Sequence, residues 1–199
     1  MKIIDVQQNS PEWFFARLGI PTASNFDKIV DTKGQPSKQK TKYMNKLAGE
    51  KVSGLQEETY TNGIMQRGIE MEDEARKLYE LQADKEVKQV GLCVSEGNII
   101  YGASPDGLIG SDGLLEIKCP LIATHVSYLL ENKLPTDYYQ QTQGQLLVTG
   151  RKWVDFMSYY PGIKPFIVRV KPDKAFQEAL KRELTIFCAE LAQVVERIK

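Results

Sequence analysis

Apolar positions change their period along this chain. Up to about residue 82 they recur at roughly helical spacing; from 86 to 118 they alternate or run together in short β-prone stretches. "SPEWFFARLG" (10–19) predicts a short helix, with Ser10 as cap, Pro11 in its first position and Gly19 at its end. "TASNFDKIV" (22–30) predicts a second, starting near Thr22 or Ser24, and the polar stretch 31–40 a loop. Lysine-rich residues 38–53 and the segment 62–82 predict two longer helices, the second phased on Ile69, Ala75, Leu78 and Leu81. "EVKQVGLCVS" (86–95), "NIIYGAS" (98–104) and "GLLEIKCP" (113–120), punctuated by "GN" and "SDG", predict a meander of antiparallel strands. Two helices separated by Pro135 follow, then strands at 152–161 and 165–172, then a long helix from about Asp173. This order implies a mixed α/β (α+β) protein with one central sheet flanked by helices.

At 199 residues the chain is expected to form one domain. Its parts are a helical 1–82, a sheet-and-helix part at 83–170 and a C-terminal helix at 171–199. A formal net charge of zero advertises no polyanionic partner, yet a local basic face can coexist with an acidic site. Cys93, Cys119 and Cys188 lie far apart without metal-ligand spacing, and no apolar run approaches a membrane span. A reduced, soluble, cytoplasmic protein with no membrane association is therefore expected.

The chemistry concentrates in "SPDG", a turn, and then "EIK" on an apolar strand. Strand geometry puts Glu116 and Lys118 on one face and sends Ile117 into the core, while a hairpin brings Asp106 beside Glu116. Two neighbouring carboxylates cannot both stay ionised cheaply without a cation between them. Oxygen donors select Mg²⁺ or Mn²⁺ over zinc, and Lys118 on the same face can position or deprotonate a water, or offset charge in the transition state. The "ExK" spacing alone is weak, since acids and lysines face each other on many exposed strands. The whole combination is far more specific.

At these residues the sequence resembles the PD-(D/E)XK nucleases. "SPEWFFARLGIPTAS" (10–24), "RGIEMEDEAR" (67–76) and "YYQQTQGQLLVTG" (138–150) narrow the resemblance to the lambda-type phage exonucleases, or YqaJ-type viral recombinases. The resemblance implies a restriction-endonuclease-like core. It also implies a Mg²⁺-dependent enzyme with two ions per site, Mn²⁺ substituting, that digests one strand of duplex DNA 5′→3′ from an end. Metal would be held by Asp106, Glu116 and the Ile117 carbonyl. Lys118 would serve the attacking water, supported by Glu70 and Gln141, and Arg17, Ser24 and Ser104 would hold the terminal 5′-phosphate. Further implied are a ring-shaped homotrimer, a single-strand annealing protein that takes the 3′ overhang, and a phage or prophage origin in a bacterial host.

Several of these residues have plainer readings. Glu70 lies in the acid-rich "EMEDE" and can be a solvated helix face, Arg17 a surface residue and Ser24 a helix cap. Three glutamines at 141, 143 and 145 cannot all point one way, which leaves the roles of Gln143 and Gln145 open. Tyr138 and Tyr139 are expected to pack, Trp13 to anchor the core beneath the phosphate pocket, and His125 to sit on the surface. Lysines 33, 38, 40, 42 and 46 either track the DNA backbone or coat a solvated helix. Three scattered cysteines cannot supply the four ligands of an iron–sulfur cluster. An endonuclease of the same fold, a catalytically silent DNA-end-binding protein and a metabolic α/β enzyme are the rival readings. The last lacks any glycine-rich phosphate loop or nucleophile elbow.

Overall fold

A computed structural model of the chain describes residues 1–56 and 63–199, apart from the side chains of 63–66 and 69. Helix α1 (Pro11–Arg17) starts as its sequence dictates: the Ser10 hydroxyl accepts the Trp13 N–H at 3.2 Å, and Pro11 fills the first turn. The next expected helix is a 3-10 turn, Ala23–Lys28, which the loop separates from α2 (Lys40–Ser53). Helix α3 (Gly63–Ala83) buries the expected face in part. Ala75 and Tyr79 are buried, whereas Leu78 is half-buried and Leu81 is 79 % exposed. The side chain of Ile69 lies outside the described residues.

The strands form two sheets rather than one. The first joins β1 (Lys2–Ile4), β3 (Leu92–Val94) and β4 (Gly102–Ala103), all antiparallel, in the order β1-β3-β4. The second has the order β2-β5-β6-β7-β8, with β2 (Val87–Lys88), β5 (Gly107–Ile109), β6 (Gly113–Lys118), β7 (Trp153–Ser158) and β8 (Phe166–Val170). Only β6–β7 is parallel, so the sheet is mixed. The expected meander breaks at Gly91, where a Cβ would meet the Val6 carbonyl oxygen at 2.2 Å. The chain leaving β1 passes too close there for any side chain. The parallel β6–β7 pair requires a crossover, and α4 (Ile122–Glu131), a 3-10 turn at Thr136–Tyr138 and α5 (Tyr139–Thr149) supply it.

Two apolar cores lie on either face of β6. Leu114 packs with Phe26, Leu47, Val154 and Phe187, while Leu115 and Ile117 pack with Tyr79, Met157 and Tyr159. Strand alternation therefore puts Glu116 on the Leu114 face and sends Ile117 inward, as expected. Helix α5 covers the Leu114 face and approaches the 3-10 turn closely, because a Cβ on Gly144 would lie 2.4 Å from the Phe26 ring. Helix α6 (Lys174–Ile198) begins where Asp173 Oδ1 accepts the Phe176 N–H at 3.0 Å. Its buried Phe176, Leu180, Leu184, Phe187, Leu191 and Val195 form one stripe, each worth about 1.5–3 kcal/mol over exposure. Among the described residues, no helix is long and apolar enough to cross a membrane.

One expected surface residue is interior. His125 is fully buried, its Nδ1 2.8 Å from Ser158 Oγ and its Nε2 3.1 Å from the Lys164 carbonyl oxygen. The carbonyl can only accept, so Nε2 carries a proton, and Tyr160 stacks on the ring. This histidine ties α4 to the end of β7.

Candidate active site

The β5–β6 hairpin brings the two acids together. Its register pairs Gly107 with Leu115, which sets Asp106 across from Glu116. Asp106 Oδ2 accepts the Ile117 N–H at 2.5 Å. Burial raises the Asp106 pKa well above the usual carboxylate range, and the Glu116 and Glu72 charges push the same way, against Lys118 and the Ile117 N–H.

Glu116 is 1 % exposed and fully engaged. Gln141 Nε2 donates to its Oε1 and Gln145 Nε2 to its Oε2, both at 2.5 Å, and Lys118 Nζ pairs with Oε1. Gln141 and Gln145 are one helical turn apart on α5, so one face serves the site. Gln143 faces the other way, donating to the Lys171 carbonyl and accepting the Asp173 N–H at 2.8 Å. Gln145 Oε1 is buried and lacks a hydrogen-bond partner, an orphan acceptor beside the acids. Lys118 is 28 % exposed, and its ammonium lies 5.4 Å from the Tyr138 ring centroid. Burial pulls its pKa down, but Glu116 and Asp106 outweigh burial and hold it above the ordinary lysine value. Tyr138 packs on Phe156 at 4.9 Å and Tyr139 on Phe176 at 4.8 Å, in keeping with packing roles; Tyr138 also shields the lysine.

An acid of α3 whose charge reaches these groups is Glu72. Its pKa is raised by burial and, more weakly, by Glu116, while Arg76 and Lys118 lower it. Glu70 is exposed. A signal for Glu72 exists in the sequence: it precedes Ala75 by three residues and Tyr79 by seven, and so shares their buried stripe.

The proposed phosphate-holding residues also converge. Arg17 Nη1 donates to Ser104 Oγ at 3.0 Å, while its Nη2 reaches Thr22 Oγ1 at 3.1 Å and Ser24 Oγ at 3.5 Å. Trp13 lies under the guanidinium at 4.1 Å, and its Nε1 donates to Ser104 Oγ and the Gly91 carbonyl, both at 3.1 Å. Burial lowers the Arg17 pKa to about 10, partly offset by Tyr43 and Glu50. Thr22 adds to the three expected residues, and Trp13, expected beneath them, is half-buried there. Of the candidate lysines, Lys40 pairs with Glu190 and Lys46 with Glu50, whereas Lys33, Lys38 and Lys42 are exposed.

The hairpin donors suit a hard divalent cation. Two carboxylates, one destabilised as an anion by burial and like charge, stand beside an orphaned amide oxygen. Among the described residues no three histidine, cysteine or acidic side chains converge on one ion position. Of the expected ligands, the hairpin brings the Asp106 and Glu116 side chains together.

Comparison with solved structures defines the class. LHK-Exo in complex with dAMP shares 36% identity, with 96% of each chain covered and a TM-score of 0.87. The alkaline exonuclease LHK-Exo from Laribacter hongkongensis gives 36%, coverage of 95% of this chain and 96% of that one, and 0.87. A phage related exonuclease from Haemophilus somnus 129PT, at 17% identity, 90% and 96% coverage and TM-score 0.70, shares the fold. The architecture is thus that of the lambda-type exonucleases, which supports a nuclease role. The family model for the YqaJ-like viral recombinase domain matches residues 12–152, and the chain belongs to that family. Comparison with the curated proteins gave no match.

Proposed function

We propose that the protein is a Mg²⁺-dependent 5′→3′ exonuclease that digests one strand of linear duplex DNA from a 5′-phosphorylated end. The observation that carries this reading is the spacing of its two sites. Ser104, in the Arg17 pocket, and Asp106, in the acid cluster, are two residues apart, so their Cα atoms lie within about 7 Å of each other. A terminal phosphate on Arg17, Ser24, Ser104 and Thr22 would place the next phosphodiester at Asp106 and Glu116.

Asp106, Glu116 and the Ile117 carbonyl would hold the ion. When bound, Mg²⁺ or Mn²⁺ would supply positive charge at the phosphoryl oxygens and ease loss of a proton from water. Lys118, held protonated by its two acids, orients the attacking water and offsets phosphoryl charge rather than taking the proton. Gln141 and Gln145 fix the Glu116 carboxylate, and Glu72 borders the water position. Water adds to phosphorus, the bond to the 3′-oxygen breaks, and that oxygen leaves with a proton. The released unit is a deoxynucleoside 5′-monophosphate, the class of molecule in the dAMP complex of LHK-Exo. The shortened strand again carries a 5′-phosphate, which refills the same pocket.

The product would be a 3′ overhang for a single-strand annealing protein. A ring-shaped homotrimer around DNA in the cytoplasm of a bacterial host completes the reading. The test is digestion with Mg²⁺ of linear duplexes bearing 5′-phosphate or 5′-hydroxyl ends, beside closed circles and a Lys118→Ala protein. Faster loss of the phosphorylated strand, intact circles and an inactive variant are expected. Cut circles would indicate an endonuclease of the same fold, and bound but uncut ends a silent end-binding protein.

A further inference from the structure

Behind the Arg17 pocket lies a second layer of polar groups. Glu50, on α2, is 8 % exposed, and its Oε2 accepts the Gly19 N–H at 3.4 Å. Gly19 follows the end of α1, two residues beyond Arg17, so this bond ties the segment carrying Arg17 to α2. Glu50 Oε1 pairs with Lys46 Nζ at 3.8 Å. Arg17, Glu50, Tyr43, Lys46 and Thr22 together line a cavity of about 80 Å³. Tyr43 Oη in turn accepts the Thr22 N–H at 3.3 Å, and Lys28 lies 5.5 Å over the Tyr43 ring.

A buried carboxylate is costly, and both contacts that hold this one are long. Packing alone would be better served there by an apolar or amide side chain. The guanidinium of Arg17 touches Ser104, Thr22, Ser24 and Trp13, and the residue shares its cavity with Tyr43, Glu50 and Lys46 of α2. Among the anionic side chains of the described residues, Glu50 is the one that shares its cavity. Its field acts with that of Tyr43 against the lowering of the Arg17 pKa by burial.

We propose that Glu50 is a positioning residue of the terminal-phosphate pocket: it lines the cavity behind Arg17 and bonds the Gly19 turn, so that α2 fixes the segment that aims the guanidinium fork at the incoming phosphate. This rests on the reading of Arg17 as a 5′-phosphate anchor. Glu50 does not itself touch the phosphate. It serves capture of the end by keeping its partner oriented, not by direct attraction.

The test compares kcat and KM for 5′-phosphorylated and 5′-hydroxyl duplex ends in the wild type, Glu50→Gln, Glu50→Asp and Arg17→Ala, with melting curves for each. The expected result is that Glu50→Gln lowers the 5′-phosphate preference about three- to tenfold, through KM more than kcat. Glu50→Asp, which keeps the charge but withdraws it by one methylene, should lie between Gln and wild type; it also serves if Glu50→Gln folds poorly. A preference unchanged in Glu50→Gln overturns the proposal, as does one that rises, since Glu50 would then be a repulsive neighbour. Equal losses on both ends overturn it too, leaving a plain brace between α1 and α2. A wild type that ignores the end group, with Arg17→Ala no different, overturns the anchor reading and this proposal together. Discrimination that depends on Arg17 but not on Glu50 overturns this proposal alone.

Discussion

Replacing Arg17 by lysine keeps a positive charge in the phosphate pocket and removes the fork. The guanidinium reaches Ser104 through one nitrogen and Thr22 through the other, at 3.0 and 3.1 Å, while lying flat on Trp13. An ammonium can serve one such direction well but not both, and it stacks poorly on an indole. One charge-assisted hydrogen bond contributes about 1.5–3 kcal/mol, and the ring contact about 0.5–2 kcal/mol. Part is regained by direct ammonium–phosphate attraction. The net loss is about 1.5–3 kcal/mol, or about 10- to 150-fold in kcat/KM for phosphorylated relative to hydroxyl ends. Steady-state digestion of the two duplexes measures that ratio. Capture needs the protonated guanidinium, so in the wild type the ratio is full below the Arg17 pKa and fades as pH rises through about 10. A lysine variant with the wild-type ratio, or with both rates falling in parallel, would refute the pocket.

Asp106→Asn removes a buried like charge while its amide oxygen can still accept the Ile117 N–H. Because the Asp106 pKa is raised, the stability tied to its protonated form is complete below the ordinary carboxylate range and is lost as pH rises through the raised value. The variant should therefore melt about 2–10 °C above wild type at pH 8 in chelator, yet lose about 100-fold or more of its Mg²⁺-dependent digestion; a lower melting point would contradict the burial argument. Gln145→Leu unpins Glu116 Oε2 and should cut digestion about tenfold or more, whereas Gln143→Leu should cost about 1–3 kcal/mol in urea melts with turnover per folded molecule retained. Equal effects of the two on turnover would mean that the α5 face has been misassigned. His125→Ala opens a cavity and strips partners from Ser158 and the Lys164 carbonyl, so a urea-melt loss of about 2–4 kcal/mol is expected; less than about 1 kcal/mol would argue against its burial.

What could be read from the sequence was local. Ser10 and Asp173 cap helices through bonds three residues long, and Asp106, Glu116 and Lys118 meet because a ten-residue hairpin brings them together. What escaped depends on partners far along the chain. His125 finds its hydrogen-bond partners 33 and 39 residues away, and the three-residue β1 becomes a strand only because β3, some ninety residues on, is there to pair with it. The division of 86–95 between two sheets follows from the chain after β1 crossing Gly91, which no local pattern records. Glu72 joins the candidate residues as a matter of phase: Ala75 and Leu78 of the expected α3 stripe pack on the core with Tyr79, while Leu81 lies outside it. The proposed phosphate pocket is a mixed case: Arg17, Ser24 and Ser104 were picked out by motif with Trp13 beneath them, but Thr22 joined them through a contact that only the folded chain brings about.

The central claim is that chemistry starts from a 5′ end and proceeds one nucleotide at a time. A linear duplex carrying different labels on the 5′- and 3′-terminal nucleotides of one strand tests it directly, digested with Mg²⁺ and sampled before half the strand is gone. The account predicts that the 5′ label appears first, as a mononucleotide, while the 3′ label stays in long single-stranded product, and that chelator stops both. Early release of the 3′ label, or first products several nucleotides long, would contradict it.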